Sequence, residues 1–419
     1  MHKKLYILVL AVLLPQLLYA EVVTRYVLNA DAGMVMRRTI IEQWIGSRPV
    51  LGGNAAVEFL PTGKIPALQH YNNASIGLSA GYFNLTNDAA LGSAFTVYTY
   101  INVPFVKRAH FEFGIRPGIG LAFVTKNYYN TVPDSLRYVP GSIKYPISNG
   151  GFGSYTNAFF TTALYFRFPI KDGWALSASY GWYHISNGSI RQPNTGFNML
   201  NGQIGLTYQP KSDSYKEPER KVPHEMYDGK RWDVELSVTG GLRQAYFADK
   251  RFFGIGTTQI SAHWRPLSIF KLGGGIDLFF DGYYRSVQKD YSVSVPDAPV
   301  TFYKKTLLST GDIINCFRLG ISLQPEFVLG NFTLGLHAGV YLFDPVKNLE
   351  PYAEAKENQL KRGVFYSYDL MNAGVKQDGW LYLHVVMKYR VTDHLFVQLA
   401  AKSHMAKVEF FDAGLGVTF

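Results

Sequence analysis

The sequence predicts an all-β chain whose antiparallel strands close into a transmembrane barrel of the outer-membrane type. Three observations carry this. The chain opens on an export signal. Its strand-like runs alternate apolar with small or polar residues at a period of two. Its composition, 15% aromatic and 17% charged with 40 Gly, suits a barrel with aromatic girdles better than a soluble domain.

The export signal comes first. His2, Lys3 and Lys4 give a basic start, Leu5 to Leu18 an apolar run, and Leu18-Tyr19-Ala20 a cleavage site, so residues 1–20 read as a signal peptide. The apolar run is too short for a comfortable membrane helix. Glu21, not Cys, follows it, which argues against a lipoprotein anchor. The single cysteine, Cys316, cannot form an internal disulfide and reads as a small apolar strand residue. Net charge is +10 and uneven: residues 21–210 carry 14 Lys/Arg against 8 Asp/Glu, and residues 232–419 carry 19 against 18. In an exported, aromatic-rich chain a basic first half points to phosphorylated outer-membrane lipid as its partner, and not to nucleic acid.

The strands follow. Phe111, Phe113, Ile115, Ile119, Leu121 and Phe123 alternate with Glu112, Gly114, Arg116, Gly118, Gly120 and Ala122. Likewise Phe332, Leu334, Leu336, Ala338, Val340 and Leu342 alternate with Thr333, Gly335, His337, Gly339 and Tyr341. In a barrel the apolar face meets lipid and the small, polar face lines the lumen. The chain ends Ala413-Gly414-Leu415-Gly416-Val417-Thr418-Phe419, an alternating strand with a terminal aromatic, similar to the last strand by which outer-membrane proteins are recognised for assembly. Between the halves, residues 211–231 are charged, lack alternation and contain Pro218 and Pro223, and so read as a solvated linker. About eight strand-like runs lie on either side of it. The order Tyr165-Phe166-Arg167-Phe168, Trp174–His184, Gly205–Tyr208 is echoed by Lys388-Tyr389-Arg390-Val391, His394–His404, Gly414–Phe419, consistent with a degenerate repeat. Tandem eight-stranded barrels (21–210 and 232–419) and one barrel of about sixteen strands both fit.

One stretch concentrates chemistry. From Trp174 the even positions Leu176, Ala178, Tyr180 and Trp182 lead into His184 and Ser186, so an unbroken pleat puts both on the lipid-facing row. On the returning strand Ile204, Leu206 and Tyr208 mark the even face as outward, which places Asn198 there too. A polar cluster on that wall is costly unless it lies at the interface or has a use. Serine with a histidine base is the kit for nucleophilic acyl transfer, and a third polar group orients the imidazole. Loop chemistry competes with this reading. Asn187-Gly188 is a hairpin-turn signal, Pro193-Asn194 with Gly196 is ordinary turn composition, and Arg191 reads as a solvated loop residue as readily as a phosphate contact.

His184-x-Ser186-Asn187-Gly188 followed by Gln192-Pro193-Asn194-x-Gly196 resembles the signature of the outer-membrane lipid A 3-O-deacylases. The resemblance implies an eight-stranded barrel that removes the ester-linked 3-acyl chain of lipid A without a metal or other cofactor. It implies Ser186 as nucleophile and His184 as base. Asn194, with Asn187 and backbone N–H groups around Gly188 and Ser189, would line the oxyanion site. The family's orienting Glu is replaced by Asn198, which can hydrogen-bond an imidazole but cannot offset its charge. The match is strong over about fifteen residues and loose over 21–210, and residues 232–419 have no counterpart in the minimal family barrel.

In the second half, His404 ends a similar strand without the Ser-Asn-Gly, and parity turns it to the lumen, so it reads as structural. The expected activity is therefore hydrolysis of a lipid A ester in the bacterial outer membrane. The rival readings are an inactive lipid-binding or structural barrel and a porin or transporter. Acyl-chain preference, oligomeric state and the role of residues 232–419 are left open.

Overall fold

The computed structural model describes residues 23–36, 45–136, 149–211, 215–221, 225–244, 250–286, 291–295, 298–304, 313–345, 349–351, 380–404 and 407–419. The signal-peptide reading of residues 1–20 lies outside them. Strands β1 (Thr24–Val35), β2 (Val50–Phe59), β3 (Ser75–Asn84), β4 (Ser93–Arg108), β5 (Phe111–Val124), β6 (Thr156–Lys171), β7 (Trp174–Ser186) and β8 (Phe197–Tyr208) form a closed antiparallel barrel. Closure is made by β1 on β8, from Tyr26 opposite Tyr208 to Val35 opposite Met199. A second closed barrel uses β9 (Trp232–Arg243), β10 (Phe253–Leu267) and β11 (Phe270–Asp281), then β14 (Phe317–Leu329) and β15 (Phe332–Phe343), then β17 (Leu381–Arg390), β18 (Leu395–His404) and β19 (Lys407–Thr418). Strands β12 (Tyr291–Val295), β13 (Ala298–Lys304) and β16 (Leu349–Pro351) make a separate small sheet.

The chain thus folds as tandem eight-stranded barrels, and the sixteen-strand alternative falls. In hydrocarbon an open edge would strand a row of unpaired backbone groups. Because β1 finds β8, and β19 finds β9, neither half needs the other to close. Alternation holds through both. Leu28, Leu164, Tyr180 and Ile204 are exposed on the outer wall of the first barrel, and Val238, Leu334, Leu336 and Leu415 on that of the second.

An eight-stranded barrel has an interior that side chains fill, and here the filling is polar and paired. In the first barrel Glu58 accepts from Arg25 (3.0 Å), Arg167 (2.8 Å), Tyr100 (3.1 Å) and Asn102 (2.8 Å). Further along, Asp31 accepts from Asn54, Asn201 and Gln203, each at 2.7 Å. Beyond these, Phe83, Tyr98, Phe159 and Tyr183 close the end remote from the first and last strand termini. A buried charge without partners would cost several kcal/mol, which explains why Glu58 draws so many donors. In the second barrel Lys388 bridges Glu235 (2.5 Å) and Glu326 (2.6 Å), and Arg318 pairs with Glu409. His404 does face this lumen, within 2.9 Å of the Tyr341 hydroxyl.

The barrels stand side by side and touch at both ends. At the end of the chain termini, the Tyr71 hydroxyl donates to the Val328 carbonyl at 2.9 Å, and the Ser268 amide donates to the Glu225 carbonyl of the connecting segment at 3.0 Å. The described residues of 211–231 are largely exposed and are pinned at this end: Asn73 donates to Glu217 and to the Pro218 carbonyl, and Lys107 pairs with Glu217 at 2.6 Å. At the far end the loop after β7 meets the second barrel.

Candidate functional site

The site is assembled where β7 and β8 reach that far end. The register of β6 on β7 runs without a shift from Phe168 opposite Leu176 to Ala158 opposite Ser186, so the pleat is unbroken through His184. His184 and Ser186 therefore share the outward face, about 7 Å apart along the strand by the rise of two residues. On the neighbouring strand Asn198 lies directly opposite His184.

Three contacts fix the imidazole. His184 Nδ1 lies 2.8 Å from Asn198 Oδ1. The Trp182 indole stacks on the ring, with centroids 5.3 Å apart and planes within 9°. On the other flank Phe160 sits at 6.2 Å. Trp182 Nε1 also donates to Asn198 Oδ1, at 3.2 Å. That bond decides chemistry further on. An indole N–H can only donate, so the amide atom facing it must be the oxygen. The same oxygen then needs a proton on His184 Nδ1, and in the neutral ring Nε2 is left with its lone pair.

Ser186 Oγ accepts from the Gly188 amide at 3.1 Å and from Asn194 Nδ2 at 3.1 Å. Both lone pairs of the hydroxyl are thus occupied, and its proton is left to donate. Asn194 is held by the Asn187 amide, which donates to its Oδ1 at 3.1 Å. Gly188 (φ 60°) and Ser189 (φ 63°) both lie in the left-handed region, which turns the backbone sharply after Ser186.

Of the residues singled out in the sequence, His184, Ser186, Asn198, Asn194 and the Gly188 amide come together. The side chains of two others are turned elsewhere. Asn187 Nδ2 donates to Ser154 Oγ (2.9 Å) and to the Arg191 carbonyl (2.8 Å), bracing the loop. Ser189 Oγ donates to the Val408 carbonyl of the second barrel at 3.2 Å. Arg191 stacks over Tyr129, 3.9 Å from its ring centroid. Two residues escaped the sequence reading. Trp182 was legible only as a girdle aromatic, although its position two residues before His184 on the same face was the available signal. Gly196 looked like turn composition, but a Cβ there would lie 2.8 Å from His184 Cε1, so this glycine makes room for the imidazole.

Among the described residues, one group offers three metal-ligand atoms within 4.8 Å: Asp233, Glu235 and His263 in the second lumen. Lys271 Nζ already lies 2.6 Å from Asp233 and 3.3 Å from Glu235, supplying the positive charge those carboxylates need.

Two family models match the chain. Residues 62–207 match the one described as Lipid A 3-O-deacylase (PagL), and residues 232–355 match the one described as Acyloxyacyl hydrolase, C-terminal domain. No curated protein matches. Among solved structures, the FrpB iron transporter from Neisseria meningitidis is 11% identical, with 94% of this chain and 69% of that chain covered and a TM-score of 0.23. A triple mutant of Rhodopseudomonas blastica porin is 8% identical, with 94% and 100% covered and a TM-score of 0.17. Neither likeness bears on this chain's architecture or activity.

Proposed function

Because the chain belongs to the lipid A 3-O-deacylase family, we propose that it is an outer-membrane esterase that releases the 3-acyl chain of lipid A by a serine–histidine mechanism. The observation that carries the proposal is the row on the outer wall: His184, its Nδ1 bonded to Asn198 at 2.8 Å, and Ser186 one pleat further on.

Substrate approaches from the membrane, its acyl chains along the apolar wall, so its ester reaches the far-end interface where Ser186 lies. Nε2 of His184 takes the Ser186 proton as Oγ bonds to the ester carbonyl carbon. The Gly188 amide and Asn194 Nδ2, already converging on Oγ, stabilise the oxyanion that forms beside it. Collapse breaks the bond to the sugar oxygen, which leaves with the proton from His184. Water then attacks the acyl-serine by the same route, giving the free fatty acid and restoring Ser186.

Asn198 holds the imidazole in the tautomer this requires, with Trp182 holding Asn198. It supplies no charge to the imidazolium, so the rate should sit below that of a carboxylate-oriented relative. Mass spectrometry of lipid A incubated with the full-length protein tests the proposal. Loss of one 3-hydroxyacyl group is expected, and it should vanish in Ser186→Ala and His184→Ala. Hydrolysis that survives Ser186→Ala refutes the mechanism.

A further inference from the structure

The catalytic turn of the first barrel is closed over by the second. Phe411, on the outward face of β19, lies so near Gly188 that a Cβ built on that glycine would fall 2.3 Å from the phenyl ring. The same ring packs on Phe160 at 6.2 Å, and Phe160 packs on His184. Around this contact the Gln244 amide donates to the Ser189 carbonyl (3.0 Å), and the Gln192 amide to Gln244 Oε1 (2.9 Å). Ser186 is 2% exposed, although it stands on a face that would otherwise be open to lipid.

Between this contact and the one at the chain-terminus end, the two walls leave apolar side chains uncovered. β6 and β19 both run from the far end toward the end of the chain termini, so Leu164 on one and Leu415 on the other descend from the Phe160–Phe411 pair. Both are exposed, at 45% and 55%, and hence do not pack into each other. Phe411 to Leu415 spans about 13 Å at strand rise. The result is a two-walled apolar groove that starts beside Ser186 and His184.

We propose that the C-terminal barrel is the second wall of the substrate site, and that Phe411 determines which acyl chain the site accepts. The occupant is a fatty acyl chain of the lipid substrate. The groove is continuous with the nucleophile and apolar on both sides, and its outer surfaces are those the fold presents to membrane. This inference rests on the esterase reading.

The test uses the full chain and lipid A carrying 3-acyl groups of several lengths, with the released fatty acids resolved by mass spectrometry. Folding is checked by migration before and after boiling. Phe411→Ala enlarges the groove and Phe411→Trp narrows it, so the ratio of long to short released chains should move in opposite directions. The shift should be about fourfold for each methylene gaining or losing contact. If both folded variants keep the parental ratio within about twofold, Phe411 does not set selectivity and the inference is overturned. Should Phe411→Ala fail to fold, the ratio given by Phe411→Trp alone decides. Ser186→Ala separates the two levels: hydrolysis that persists there refutes the esterase mechanism, whereas its loss with unmoved ratios refutes only the second wall.

Discussion

Replacing Trp182 by Phe removes the indole N–H together with one ring of the bicycle. A stacked ring facing His184 is kept, while the 3.2 Å bond to Asn198 Oδ1 is lost. In the parent, turning the amide over would set its NH2 against the indole N–H and force the proton of His184 onto Nε2, the wrong tautomer for a base. With Phe only the first of those penalties disappears. A neutral hydrogen bond contributes about 1 kcal/mol net, so the orientational preference weakens by about that much, or about fivefold in population. The turnover rate of lipid A deacylation follows the fraction in the base-competent tautomer, so it should drop, by at most about fivefold, with KM nearly unchanged, because substrate binding does not involve that N–H. Initial rates over a range of lipid A concentrations in mixed micelles measure this. A folded Phe variant with parental turnover would refute the argument that the indole sets the histidine tautomer, and a change confined to KM would point to binding instead.

Other outcomes follow from the same contacts. Asn198→Asp keeps an acceptor for both Trp182 and His184 and adds charge; a charge-assisted bond exceeds a neutral one by about 1 kcal/mol, so the turnover rate should rise about fivefold. A fall would mean that the cost of the buried charge exceeds its benefit to the imidazolium. Gly196→Ala must adopt φ near 70° and push a methyl against His184 Cε1, so turnover should fall by more than about tenfold, from about 1–2 kcal/mol of backbone strain plus the displaced ring. The variant should still run as a folded barrel. Glu58→Ala leaves Arg25 and Arg167 without their shared carboxylate and should lower stability by about 3–5 kcal/mol in urea titrations of the protein in micelles. A loss under about 1 kcal/mol would show that water reaches that end of the lumen.

How much of this was legible in the sequence divides along a physical line. Period-two alternation is a local consequence of the pleat, so the outward placement of His184, Ser186 and Asn198 could be read from Trp174–Trp182 and Ile204–Tyr208 alone. Barrel count could not, because it depends on whether β1 meets β8 or β19, and the pairing energy of either closure leaves no mark on either strand. The contacts of residues 211–231 were hidden for a related reason. Their charges and prolines describe a segment that makes no strand, but not that Asn73 and Lys107 would hold Glu217. At the site, the missing information was again long-range. Trp182 and Gly196 lie within the motif's neighbourhood, yet their roles come from one cross-strand amide and one imidazole edge. Phe411 lies more than two hundred residues from Ser186 and reaches Gly188 only because two closed barrels pack wall to wall. A lone barrel carrying the same motif would leave Ser186 facing lipid. Here Phe411 of the second barrel covers that position, and the proposal that substrate enters between the two barrels rests on that contact.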